Sequence, residues 1–439
     1  MTGKKVAIVT LGCPKNTADT SNLARLLKAR GHDIVTDAAD ADAIVVHTCS
    51  FIEAAKKESI DTILQAGRVK TGGKMLIVTG CLVQQHGKEI FDDLPEVDAF
   101  LGTGQLAQVA EILEKPRKRF VDRANPGGFM DLPAEAAAAK AGSGSVTAIL
   151  RLSEGCNHPC SFCVIPRLRG PVQSRSEEAI LREARELTAQ GIEEFSLIGQ
   201  DTGDWGRDSK STGRLPSLLR SIAQTPGVRW VRLMYMHPAS FTDELLSTLA
   251  EQPEKFPYLD MPFQHIDSRV LSEMKRKMDE TALRKLLDRI HAKAPGLSLR
   301  TTFIVGFPGE TAAQFKRLVD FIREGHFDYL GAFAYSKEEG TPAAGRDGQV
   351  AEKTKRDRLD ILTNTYYDIA HAKAQKRLGT AETVLLEETE GDTVIGRTQR
   401  EAPEIDAIVR LPQLAARNGR FIKAELSGYE SYEFTAEPI

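Results

Sequence analysis

The sequence predicts a three-part α/β protein. An N-terminal doubly wound parallel α/β domain leads into a central partial (β/α)6 barrel, and a small antiparallel β-barrel closes the chain. Three observations carry this. Apolar strand-like runs alternate with helical patterns near the start and again through the centre, which implies parallel sheets covered by helices. The final stretch offers five short runs broken by Gly, Asn and acidic residues, the pattern of a small barrel. A chain of 439 residues, at roughly 150 per domain, makes about three domains.

The first domain is expected over residues 4–119. VAIVTLGC (Val6–Cys13), AIVVHTCS (Ala43–Ser50) and MLIVTGC (Met75–Cys81) read as buried strands, each followed by a helical pattern. Cys13, Cys49 and Cys81 each end one of these strands, separated by 36 and 32 residues, about one β-α unit each time. Parallel strands would deliver all three thiols to one edge of the sheet, where ligands of such sheets gather. We read them as a three-thiolate site.

Residues 120–145 are rich in Gly, Pro, Ala and Ser and read as a linker, with a hairpin in KRFVDR just upstream. The central domain, 146–374, carries six strand candidates: TAILRLSEGC, EEFSLIGQD, RWVRLMYM, YLDMPFQH, LSLRTTFIVGF and DYLGAFAYS. Helical patterns lie between them, too few for a full eight-stranded barrel. A long amphipathic helix follows, and 375–439 hold the runs AETVLLEET, TVIGRTQ, DAIVRL, FIKAELSG and YEFTA.

Composition narrows the function. The chain is 41% hydrophobic and 27% charged with a net charge of −3, so no overall basic excess points to nucleic acid. The N-terminal apolar run is too short for a signal peptide and no segment reaches membrane-spanning length, so a cytoplasmic protein is expected. Thiols stay reduced there, and six cysteines then point to metal or catalysis rather than three disulfides.

The other three cysteines make the sharpest signal. SEGCNHPCSFC places Cys156, Cys160 and Cys163 in C-x3-C-x2-C spacing after the first central strand. Zinc sites take four protein ligands, or three and a water, and usually pair two short knuckles. No fourth cysteine follows, although His158 lies between the ligands. Cys thiolates are the usual ligands of iron–sulfur clusters. A four-iron cube held by three of them keeps one iron open to a substrate or cofactor.

This spacing at the head of a partial barrel resembles the radical S-adenosylmethionine (SAM) superfamily. The likeness tightens to the methylthiotransferases and covers nearly the whole chain. It implies an N-terminal domain with a second cluster, here matched by Cys13, Cys49 and Cys81. It also implies a radical core, matched by Cys156, Cys160 and Cys163, and a C-terminal barrel of the TRAM type. Two [4Fe-4S] clusters and SAM are the implied cofactors; the open iron of the radical cluster chelates SAM, whose cleavage gives a hydrogen-abstracting 5′-deoxyadenosyl radical. The implied activity is insertion of a methylthio group, with the N-terminal cluster presenting the sulfur and a second SAM the methyl group.

Within that family, LGCPKNTADT, YLDMPFQHIDSRVLSEMKR and GRTQREAPEIDA resemble the branch that modifies the β-carbon of an aspartate in small-subunit ribosomal protein twelve. Thr17 and Thr20 depart from its usual residues, but neither is a metal ligand. The tail agrees: residues 375–439 hold twelve Asp and Glu against eight Lys and Arg, a net of −4, whereas a tRNA grip should be basic. Expected partners are the ribosomal protein, free or in the ribosome, an electron donor such as flavodoxin or ferredoxin, and a sulfur donor. No membrane and no direct nucleic-acid contact are expected, and the chain is expected to be a monomer. The rivals are the same chemistry on a modified adenosine of tRNA, and a two-cluster electron carrier, against which the open iron argues.

Further candidates lie on other strand ends. Gln200 and Asp201 in LIGQDTGDW, and Gly306 and Glu310 in FIVGFPGE, are candidate SAM contacts; the bland reading is a helix N-cap at Asp201 or Thr202 and a structural Gly turn. Gln264 and His265 end the fourth strand, where a lone His is more often packed than ligating. Arg167, Arg169 and Arg175 follow the radical cysteines and could steer an acidic loop, or be solvated.

Overall fold

A computed structural model describes residues 3–116, 119–123, 145–208, 214–412 and 421–439. The N-terminal strands are β1 (Lys5–Thr10), β2 (Asp33–Val35), β3 (Ala43–Thr48), β4 (Met75–Gly80), β5 (Ala99–Leu101) and β6 (Phe120–Asp122). They pair in the order β2-β1-β3-β4-β5-β6, every pair parallel. β3 is buried along its whole length, as a strand covered on both faces must be. The strand order reverses between β1 and β3, so the crevice of this sheet opens there. Cys13 and Cys49 follow those two strands.

One expectation fails here. The KRFVDR hairpin is not formed: Phe120–Asp122 is a single strand parallel to β5, so the sheet runs past the expected linker start at 120. Alternation alone does not separate a lone edge strand from half of a hairpin. The rest of the expected linker lies outside the described residues.

The six central candidates form β7 (Thr147–Arg151), β10 (Glu194–Ile198), β11 (Trp230–Leu233), β12 (Tyr258–Asp260), β13 (Ser298–Val305) and β14 (Tyr329–Ala334). They pair in chain order, all parallel, in a sheet that stays open between its two edges β7 and β14. Between β7 and β10 the short antiparallel pair β8 (Ser153–Glu154) and β9 (Gln173–Ser174) brackets the three radical-site cysteines. The helix Glu352–Gln375 then leads to the last domain.

Strands β15 (Ala381–Glu390), β16 (Thr393–Thr398), β17 (Ile408–Pro412), β18 (Phe421–Glu430) and β19 (Glu433–Pro438) close into a barrel. All pairs are antiparallel except β17 with β19, whose parallel pairing closes the ring.

The three parts share packing. One buried apolar cluster contains Ala18 of the first domain, Ile198, Met234, Tyr258 and Tyr329 of the central sheet, and Val384, Val409 and Phe434 of the barrel. At the same junction Glu194 is fully buried between Arg232 of the central domain and Arg397 of the barrel, the latter at 2.7 Å. Burial alone would raise the Glu194 carboxyl; the two guanidinium groups hold it at about 2. The barrel is therefore bolted to the core rather than hung from it.

Candidate active site

The N-terminal thiols sit on three successive strand ends, as their spacing predicts. Cys13 caps the helix Pro14–Ala29, Cys49 follows β3, and Cys81 opens the helix Cys81–His86 directly after β4. Two glycines let the backbones approach. A Cβ on Gly12 (φ +92°) would stand 2.8 Å from the Cys49 sulfur, and one on Gly80 (φ +104°) 2.6 Å from the Thr48 carbonyl oxygen. Cys49 and Cys81 are buried and Cys13 is exposed, so this triad opens to one side.

Cys156, Cys160 and Cys163 lie half-buried in the loop between β8 and β9. The loop is pinned from below: Ser161 N donates to the Met274 carbonyl, its hydroxyl to that of Glu273, and Cys156 N to that of Gly170. Arg276 reaches the Cys160 sulfur at 3.4 Å while bonding the Pro262 carbonyl.

The donor sets fit iron–sulfur clusters better than single ions. Sulfurs on one zinc, each about 2.3 Å from it, would stand under about 4 Å apart. Among the described residues no three cysteine sulfurs gather within 4.8 Å. Burial holds the Cys49, Cys156 and Cys163 thiols up at about 12, so they ionise only against bound positive charge, as iron would supply. Arg169 beside Cys81 and Arg276 beside Cys160 supply charge-assisted donors to sulfur, the kind of outer contact that tunes a cluster.

The two triads are neighbours. Cys81 packs against Val164 and Leu168, one and five residues after Cys163. Arg169 joins the domains: it donates to the Cys81 sulfur (3.6 Å), to Asn16 (2.9 Å), to Asp19 (2.9 Å) and to Glu154 (3.3 Å). Lys15 meets Glu154 at 2.8 Å and Arg151 pairs with Asp19 in the same buried network. Burial pulls Lys15 down to about 8, still charged at neutral pH; against the cost of burial, Lys15, Arg169 and Arg151 keep Glu154 ionised.

The expectation that Arg167, Arg169 and Arg175 steer a substrate is corrected for two of them. Arg169 and Arg175 are buried, the latter bonded to Glu183 at 2.6 Å; only Arg167 reaches the surface, where it bonds the Glu339 carbonyl. Sequence reasoning missed the role of Arg169 because Asn16, Asp19 and Cys81 lie in another domain.

The four expected SAM contacts also divide. Asp201 is 2% exposed and spent: its oxygens accept from His158 Nε2 (2.7 Å), Ser240 Oγ (2.6 Å) and the Gly203 and His237 amides. It is the N-cap of the turn Thr202–Asp204, the bland reading. Gly306 (φ +72°) and Glu310 form a closed turn, in which the Glu310 carboxylate accepts from the Gly306 and Phe307 amides and pairs with Arg358. Asp201 keeps no unbonded carboxylate oxygen, whereas Glu310 Oε1 is buried with no hydrogen bond and only the Arg358 guanidinium 3.2 Å away. Gln200 has a neutral spare acceptor: its amide nitrogen bonds Glu154 at 2.9 Å while its carbonyl oxygen is buried without a partner.

His158, Asp201 and Asp204 gather within 4.8 Å, the one such cluster among the described residues. They form a hydrogen-bonded clamp instead of an open ion site. Burial opposes the charge, yet the two carboxylates hold His158 at about 9, so the imidazole is protonated and has no lone pair for a metal. His237 stacks on it at 4.0 Å. His265 is fully buried and its Nδ1 accepts from Asp267, a packed histidine as its lone position implied.

Comparison with known proteins agrees along the whole chain. Residues 5–102 match the model of uncharacterized protein family UPF0004, 150–322 the radical SAM superfamily, and 378–439 the TRAM domain. The solved radical SAM methyltransferase TsrM from Kitasatospora setae, with tryptophan and a SAM analogue, superposes with a TM-score of 0.56. It covers 77% of this chain and 74% of its own at 15% identity, a likeness of fold. Ribosomal protein uS12 methylthiotransferase RimO of Desulfitobacterium hafniense is 40% identical over 99% of both chains. The protein of that name from Geobacter sulfurreducens is 41% identical, again over 99% of both. Two three-cysteine sites, a radical SAM core and a TRAM barrel, with this identity from end to end, mean that the chain belongs to the radical SAM methylthiotransferase family of these RimO enzymes.

Proposed function

We propose that the protein inserts a methylthio group at the β-carbon of an aspartate in ribosomal protein uS12. The observation that supports it best is the adjacency of two three-thiol sites in different domains, joined through Arg169 and the contact of Cys81 with Val164 and Leu168. Cys156, Cys160 and Cys163 hold the radical [4Fe-4S] cluster; Cys13, Cys49 and Cys81 hold the second. When bound, the clusters and SAM supply one-electron cleavage chemistry, the sulfur and the methyl group.

The chain's own residues do the rest. Gln200 offers its unpaired carbonyl to a donor group such as the SAM ammonium. The His158 clamp and the Arg276 contact fix the cluster loop against the sheet. The buried Lys15–Glu154–Arg169–Asp19 network sets the distance between the two sites and excludes water from their boundary. A one-electron donor of the flavodoxin or ferredoxin kind and a sulfur donor complete the partners. No described helix is long and apolar enough to cross a membrane.

Reconstituted protein, reductant, SAM and sulfide incubated with uS12 should add one methylthio group, located by tandem mass spectrometry on an aspartate. Modification of tRNA with uS12 unchanged would overturn the reading.

A further inference from the structure

The loop that carries the radical-site cysteines is held by two neighbours. Val164 and Leu168, just past it, pack on Cys81 of the first domain. The loop itself rests on the short helix Ser268–Glu273 and the turn that ends it. Ser161 donates to the Glu273 and Met274 carbonyls, and Arg276 donates to the Pro262 carbonyl (2.6 Å) and to the Cys160 sulfur (3.4 Å). Arg276 is 6% exposed, but Lys275 and Lys277 on either side of it are open to solvent.

This turn is built at a cost. Lys275 N donates to the Ser272 carbonyl and Arg276 N to that of Leu271, which closes the helix in a Schellman motif. The left-handed position of that motif usually falls to glycine. Here it is Lys275 (φ +58°), and Lys277 (φ +60°) is left-handed too. Side chains at such angles cost energy, and they gather at functional sites. Neither lysine side chain has an ion pair or a hydrogen bond among the described residues.

Between Ser268 and Met278 four basic residues stand against one acid, Glu273, in a chain whose net charge is −3. Glu273 is already engaged, by Arg346 at 2.9 Å and by Arg269 at 3.3 Å. Asp279, the next acid, caps the helix Glu280–Lys293, whose N-terminus offsets its charge. Lys275 and Lys277 are therefore an uncompensated positive pair, beside the arginine that touches a radical-site ligand.

We propose that Lys275 and Lys277 dock an acidic one-electron carrier protein, which passes its electron to the radical cluster from the Cys160 side. The inference rests on the radical SAM reading above, whose chemistry takes one electron for each cleavage, and names where that electron enters. The carrier is oxidised by one electron and the cluster is reduced by one; no bond or proton moves in the step. Unpaired surface cations steer an acidic partner and fix its register, an attraction that salt weakens.

Binding of an acidic flavodoxin and of an acidic ferredoxin to the anaerobic holoprotein tests it, alongside formation of 5′-deoxyadenosine. Lys275→Asn with Lys277→Asn removes both charges and suits the left-handed backbone, so the turn should keep its stability. The double variant should raise Kd for at least one carrier roughly fivefold at low salt, and by less at high salt. Cleavage driven by that carrier should slow in step, while cleavage driven by dithionite stays as in the wild type. Lys423→Asn, at an exposed lysine of the barrel, should change neither. The carrier whose Kd responds is the kind that docks here. A Kd unchanged for both carriers, or raised equally by Lys423→Asn, would overturn the inference and leave the function standing. Loss of dithionite-driven cleavage in the double variant would also overturn it, since the turn would then serve the cluster's structure. A wild type that cleaves SAM yet never modifies uS12 would overturn the methylthiotransferase reading and leave the docking site standing.

Discussion

The Arg169 guanidinium stands 3.6 Å from the Cys81 sulfur and 2.9 Å from the Asp19 carboxylate, linking the loop after one three-cysteine site to the other. Both Arg169 and Asp19 are buried, so each charge depends on the other. Arg169→Met should therefore cost about 3–5 kcal/mol, because Asp19 and Glu154 would keep buried charge with less compensation. Thermal unfolding should show it, and methylthio transfer should fall further than SAM cleavage, since the relation between the two sites is lost first.

Iron content should separate the two sites. Replacing Cys156, Cys160 and Cys163 by Ala is expected to leave about half the iron and abolish formation of 5′-deoxyadenosine. Replacing Cys13, Cys49 and Cys81 should also leave half the iron, yet keep that cleavage while ending sulfur insertion. Cleavage by the first variant would remove the radical site from Cys156, Cys160 and Cys163.

Gln200 is the expected SAM contact with a neutral spare acceptor. Gln200→Ala should weaken SAM binding by about tenfold, roughly 1.4 kcal/mol, with the iron content kept. Equilibrium binding to the anaerobic holoprotein measures it. Asp201→Ala should act differently, lowering the yield of cluster-loaded protein, because it leaves His158 only Asp204 as a partner and uncaps a turn.

Acid should loosen the C-terminal barrel. The Glu194 and Glu401 carboxyls fall from an ordinary 4.5 to about 2 in the fold, so the unfolded chain binds protons more readily. Their contribution is complete above pH 4.5 and is lost as pH falls through about 2. Unfolding midpoints measured from pH 6 down to about 2.5 should drop through this window, and Glu194→Gln should flatten the drop while costing about 3 kcal/mol at neutral pH.

Removing residues 375–439 should not leave a clean core. Met234, Tyr258 and Tyr329 would lose their cover, and Arg232 its partners Thr398 and Gln399. The truncated chain should be less soluble and unfold at lower temperature. A core of unchanged stability would show that the shared packing contributes little. For the same reason Glu401 and Asp406 are no docking acids, and reversing their charge would attack the fold instead of a substrate surface.

The sequence by itself determined the three-domain order, the parallel sheets, the closed tail barrel and the two cysteine triads. Each of these is written in local periodicity: buried parallel strands read as apolar runs, and a residue just past such a run must lie at the sheet's carboxyl edge. Tertiary structure decided what faces what. Whether Arg169 is a solvated loop residue or the bridge to Cys81 depends on Asn16 and Asp19, which are distant in the chain. Asp201 and Glu310 sit on legible strand ends, yet only the fold shows the Asp201 carboxylate spent on His158 and one Glu310 oxygen on its own turn. The net charge of the tail agreed with the ribosomal-protein branch but did not place its acids, because a count of acids is blind to burial. Glu401 and Asp406 belong to the interior, and Glu404 between them is the one that meets solvent.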